Sequence, residues 1–86
     1  MNINQLILII KEKIQNNFLI ENIIIEDKTF LHEKHGTHQK GKFHLKLIID
    51  SLELKKMNKI QSTKKIYTVL DVELKEYIHS IQILIS

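Results

Sequence analysis

From Lys42 to Asp50 the chain reads K-F-H-L-K-L-I-I-D, with an apolar residue on every second position from Phe43. In an extended strand Phe43, Leu45, Leu47 and Ile49 share one side, and His44, Lys46 and Asp50 share the other. A strand that is apolar on one side needs a covering layer, which the remaining residues must supply. Two other segments suit a pleated surface. Ile20 to Asp27 contains Ile23, Ile24 and Ile25, whose β-branched side chains are stiff at χ1. Ser80 to Ile85 alternates again and puts Ile81, Ile83 and Ile85 on one face.

The covering layer is helix-spaced. Asn4 to Asn17 reads as a helix whose apolar stripe is Ile3, Leu6, Ile7, Ile10 and Ile14. Asn2 or Asn4 caps its start, and Asn16-Asn17 suits its end because Asn tolerates the left-handed conformation. Leu8 and Ile9 lie off this stripe and need a second contact. Ser51 to Lys59 is mixed and Lys-rich, consistent with a short helical turn. Ser62 or Thr63 is positioned to cap a second full helix running to about Tyr77, with Ile66, Tyr67, Val69, Leu70, Leu74 and Tyr77 as its apolar set. The expected order is α-β-β-(α)-α-β. A three-stranded sheet with its helices on one face buries both kinds of stripe, so the predicted class is an α+β sandwich. Eighty-six residues suffice for one such core, and the expected organisation is a single domain over 1–86.

Composition narrows the chemistry. The chain has no cysteine, which removes disulfides, thiolate metal sites and cysteine nucleophiles. Its 13 basic residues are all Lys, so no bidentate arginine contact to a base is available. The net charge of +3 is uneven: residues 28–65 carry 10 Lys against 3 acids, while both flanks are acidic. This basic middle suits a phosphate backbone or an acidic partner, with weak, salt-dependent nucleic-acid binding as the expectation. The apolar run Leu6–Ile10 is too short to span a membrane and lacks the flanks of a signal peptide. A cytoplasmic protein that does not enter the membrane is expected, or an organellar one if a leader is removed. No Ser-His-Asp order, glycine-rich phosphate loop or carboxylate pair stands out, so no enzyme activity is expected.

Histidines are the most informative polar residues. His32, His35 and His38 stand at intervals of three around Gly36, in a long connection between the first two strands. Imidazole is a borderline-soft ligand for zinc, copper, nickel or iron, so the three are candidate metal ligands. His44 is expected to be a half-buried structural histidine with a hydrogen-bond partner, and His79 a structural residue opening the last strand.

His35-x-x-His38, followed by His44-Leu45-Lys46-Leu47-Ile48-Ile49-Asp50-Ser51, resembles the H-x-x-H … S-H-F-K-V-x-I-V-S core of the BolA family. Lys59-Ile60-Gln61-Ser62-Thr63-Lys64-Lys65-Ile66-Tyr67 is similar to that family's L-V-Q-R-H-R-L-V-Y, with no gap from Ser51. His79-Ser80-Ile81-Gln82-Ile83 is similar to its H-A-L-S-I. The likeness covers nearly the whole chain.

The resemblance implies a class II KH-like fold, with a three-stranded mixed sheet in α-β-β-α-α-β order. It implies a non-enzymatic adaptor that binds a monothiol glutaredoxin and shares a bridging [2Fe–2S] cluster with it and with glutathione, in iron–sulfur trafficking or iron and redox regulation. The alternative it implies is a nucleic-acid-binding transcriptional regulator using the Lys28–Lys65 surface. The loop ligand falls on His35, with His32 and His38 as alternatives because the loop is longer here. The family's second ligand, the histidine of its Arg-His pair, is replaced by Thr63. Lys59, Ser62, Thr63, Lys64 and Lys65 are the expected partner or nucleic-acid surface, and a monomer or weak homodimer is expected.

Overall fold

The computed structural model describes residues 1–31 and 42–86. Helix α1 spans Ile3–Asn17 and is followed by strand β1, Asn22–Asp27, and a single 3-10 turn at Thr29–Leu31. Strand β2 spans Phe43–Asp50, and three helices follow: α2 at Leu52–Lys55, α3 at Lys59–Val69 and α4 at Asp71–Glu76. Strand β3, Ile78–Ile85, completes the α+β architecture.

The sheet order is β1-β2-β3. β1 runs antiparallel to β2, with Ile23 opposite Ile49 and Ile25 opposite Leu47. β2 runs parallel to β3, with Leu45 opposite Ile81 and Leu47 opposite Ile83. The sheet is therefore mixed. A parallel neighbour demands a crossover between the two strands, and α2, α3 and α4 form it.

The alternation read along β2 places the core. Leu45, Leu47 and Ile49 are buried against Leu6, Ile10 and Ile14 of α1, Leu54 of α2, Ile66 of α3, and Leu70. Fully burying one such side chain contributes roughly 1.5–3 kcal/mol. Leu8 and Ile9 do not find one shared second contact: Leu8 stays 58 % exposed and Ile9 is half-buried. Asn2 is the residue that caps α1. Its side chain accepts from the Gln5 N–H, and the Gln5 side chain accepts from the Asn2 N–H. At the other end Asn17 donates from Nδ2 to the Lys13 carbonyl, while Phe18 enters extended backbone.

The C-terminal helix differs from expectation in two ways. Its cap is Asn58, not Ser62 or Thr63: Asn58 Oδ1 accepts from the Gln61 N–H at 2.8 Å. The apolar periodicity fades between Lys59 and Thr63, so the spacing rule missed the first turn. The helix also divides at Leu70, whose φ of −98° and ψ of 18° depart from helical values. No glycine or proline marks the break. Tertiary contacts fix the two segments instead. Leu70 is fully buried, and Glu73 of α4 accepts from Lys13 Nζ of α1 at 2.9 and 2.8 Å.

A polar relay fastens the ends of the three strands. Thr29 donates through its backbone N–H and its hydroxyl to Asp27 Oδ1, then accepts from the His44 N–H at 3.1 Å. His44 Nδ1 and Ser80 Oγ share a 2.6 Å hydrogen bond across β2 and β3.

Candidate functional site

Helix α3 carries most of the residues expected on a partner surface, and helical geometry divides them. Ser62 and Ile66 point inward and are buried. Ser62, expected on the surface, is only 2 % exposed and donates to the Lys59 carbonyl. The reason is its spacing: Ser62 lies four residues before Ile66, on the same stripe as the core. Thr63 is half-buried, and Lys59, Lys64 and Lys65 are exposed.

The outer face of α3 holds a depression of about 680 Å³ lined by residues that include Lys59, Ile60, Thr63, Lys64, Tyr67 and Asp71. Its centre is apolar, with Ile60 70 % exposed and Tyr67 43 % exposed. Lys59 and Lys64 line it as well. Lys65 lies round the helix, in a second depression with Asn17, Phe18 and Val69. Among the described residues none of Lys55, Lys56, Lys59, Lys64 and Lys65 has an acidic partner within 4.0 Å.

Tyr67 corrects a sequence reading that placed it in the core. It follows Ile66 by one residue, about 100° further round the helix, and so faces away from the sheet. Ile60, Thr63 and Tyr67 stand at i, i+3 and i+7, and that second stripe was the available signal for an outward apolar face.

The histidines separate into two groups. His32, His35 and His38 lie outside the described residues, as does their expected approach to Thr63. His44 is buried at 6 % exposure, although it sits on the helix-free side of the sheet. His79 is exposed, with its ring centroid 4.7 Å from that of His44. Its place beside His44, together with the Ser80 hydrogen bond, accounts for both as structural residues. Lys28, His44, Lys46 and Ser80 line a concavity of about 370 Å³ on this side.

At Thr63 an alcohol replaces the imidazole that the family resemblance calls for, and a neutral hydroxyl is a poor ligand for cluster iron. Among the described residues no group of three or more His, Cys, Asp or Glu is placed to hold a metal ion. The described residues of the site do not fit a cluster.

Comparison with known proteins fits this architecture. Residues 14–86 match the BolA family, described as BolA-like protein. The chain belongs to the BolA-like family. It is 33 % identical over 73 residues to the DNA-binding transcriptional regulator BolA of Haemophilus influenzae, covering 85 % of this chain and 68 % of that protein. BolA1 from Arabidopsis thaliana superposes with a TM-score of 0.74 at 25 % identity, over 90 % of this chain and 85 % of that one. The BolA domain of SufE1 from Arabidopsis thaliana gives a TM-score of 0.77 at 22 % identity, over 100 % and 93 % of the two chains, a likeness of fold alone. The BolA-like fold was thus legible from the motif set. Among the described residues no helix is long and apolar enough to cross a membrane.

Proposed function

We propose that this BolA-like chain is a non-catalytic, cytoplasmic adaptor that docks a monothiol glutaredoxin on the outer face of α3. The observation that carries the reading is the make-up of that face. Ile60 and Tyr67 expose apolar surface in one depression, and the charged Lys59 and Lys64 line it beside them. An apolar centre with a polar rim is the anatomy of a protein interface. Nucleic-acid interfaces are more polar and more uniformly positive. Docking of this kind needs no metal. The cluster-sharing part of the family expectation rests on His32, His35 and His38, together with glutathione and a cysteine from the partner.

The test is co-elution of the two purified proteins, with and without iron, sulfide and glutathione. Co-elution without iron and sulfide is expected, and Ile60→Asp should weaken it at least tenfold. Binding unaffected by Ile60→Asp would remove α3 as the docking face. A change in the visible spectrum on adding iron and sulfide, altered by His35→Ala, supports a shared cluster. An unchanged spectrum leaves docking alone.

A second reading is favoured by the name of the Haemophilus influenzae relative, a DNA-binding transcriptional regulator. Lys55, Lys56, Lys59, Lys64 and Lys65 are exposed on consecutive helices and would contact phosphates without reading bases. A mobility shift at about 50 mM salt that fades steeply as salt rises supports this reading. No shift at low salt excludes it.

A further inference from the structure

We propose that the open edge of β3 is a docking site for an extended, acidic polypeptide segment, which would add a fourth strand to the sheet. The proposal concerns a second groove, which adjoins the depression on the outer face of α3 and shares Lys59 and Thr63 with it.

The two edges of the sheet are built differently. β1 carries Glu26 and Asp27 and is followed by Lys28, so charge guards that edge. β3 has no Lys, Asp, Glu or Pro from Ile78 to Ile85. Among the described residues it pairs on one side only, with β2. An eight-residue uncharged strand that is unpaired on one side among the described residues is a template for another strand. Its own helices leave it partly uncovered. Leu45, Leu47 and Ile49 of β2 are 3 %, 0 % and 0 % exposed, whereas Ile81, Ile83 and Ile85 on the same face of the sheet are only half-buried.

Among the described residues, no strand pairs with the outer side of β3. Ser86 directs its N–H to the Ile49 carbonyl and its carbonyl to the Ser51 N–H, both on the β2 side. Strand alternation then turns the N–H and C=O of Ile83 and Ile85 to the open side. A groove of about 280 Å³ runs beside them. Three consecutive residues, Ile83, Leu84 and Ile85, line it, so it follows the strand edge and does not belong to one face. Met57 adds apolar lining, and Lys55 and Lys59 line it too. Neither lysine has an acidic partner within 4.0 Å among the described residues.

These features define the occupant. An added strand satisfies the row of backbone groups, alternate apolar side chains enter the groove, and carboxylates meet Lys55 and Lys59. A single-stranded nucleic acid fits less well. The groove has no aromatic residue on which a base could stack, and no glycine lies between α2 and α3 to let a phosphate backbone approach closely.

The test uses the full chain and a synthetic decapeptide of alternating Val and Glu, with a Val/Lys decapeptide and a single-stranded oligonucleotide as competitors. Fluorescence anisotropy should show binding of the Val/Glu peptide only, and the Ile83 and Ile85 amides should exchange more slowly with solvent in its presence. K55E/K59E, both at exposed positions, should weaken binding at least tenfold and give the Val/Lys peptide the advantage. K11E/K65E, a double reversal at positions that do not line the groove, serves as the charge-matched control and should bind like the wild type. Equal binding of both peptides, binding unchanged in K55E/K59E, or preference for the oligonucleotide would overturn the proposal. Concentration-dependent dimerisation that protects the same amides without peptide would overturn it too, by making a second copy the occupant. Because Lys59 lines both depressions, Ile60→Asp separates them: Ile60 does not line the groove, so this variant should bind the Val/Glu peptide like the wild type while losing glutaredoxin co-elution.

Discussion

Single side chains decide several features that residue type alone leaves open. Glu73 is 5 % exposed, and both of its carboxylate oxygens accept from Lys13. The Lys13 side chain is itself 38 % exposed, so water screens part of the attraction. The greater consequence lies in removing one partner, which strands a buried carboxylate. Lys13→Ala should destabilise the fold by about 1–3 kcal/mol, measured by urea unfolding, and Lys13→Arg should restore most of it. A loss below about 0.3 kcal/mol would show that the pair is idle. His44 and Ser80 form a second such unit. Ser80→Ala removes the 2.6 Å partner of Nδ1 and should cost about 1 kcal/mol, with chemical-shift changes centred on the His44 ring. The histidine was recognisable beforehand as structural. Its partner was not, because the contact joins residues 36 positions apart in a register that only strand pairing sets.

At the scale of elements, helix starts matter more than helix interiors. Asn58 fixes the first turn of α3, which carries Lys59 and Ile60. Asn58→Ala should cost about 0.5–2 kcal/mol and speed amide exchange in that first turn. Asn58→Asp should retain the cap and add a favourable charge at the positive end of the helix. Equal exchange in all three proteins would remove Asn58 as the cap. Strands were easier to read than this helix. β2 alternates over its full length because one face meets the core, and the observed Phe43–Asp50 differs from the expected Lys42–Asp50 by one residue. The division between α3 and α4 was not readable. Leu70 is an ordinary helix former, and the break depends on what surrounds it.

Across the whole molecule, one core supports every surface described above. A chain of this size is stabilised by roughly 4–13 kcal/mol in total. Leu47, fully buried at the centre of the sheet, should lose about 2–5 kcal/mol on truncation to Ala, much of that margin. Thermal unfolding monitored by circular dichroism should show the midpoint fall by well over 5 °C for a domain this small. A smaller shift would mean that the neighbouring side chains collapse into the space. The two proposed interfaces, the outer face of α3 and the open edge of β3, adjoin on this scaffold and share Lys59 and Thr63. Each rests on side chains that the core leaves uncovered.

The amino-acid pattern by itself determined the alternating and helix-spaced stripes, the α+β class, the exclusion of thiol chemistry and, through its motif order, membership of the BolA-like family. These are local or compositional properties: a period of two or of 3.6 residues is visible without knowing any partner. Tertiary structure alone decided that Tyr67 faces solvent and Ser62 does not, that Glu73 meets Lys13, and that β3 forms an unguarded edge. Each depends on which distant segments share a layer, and local spacing carries no record of that.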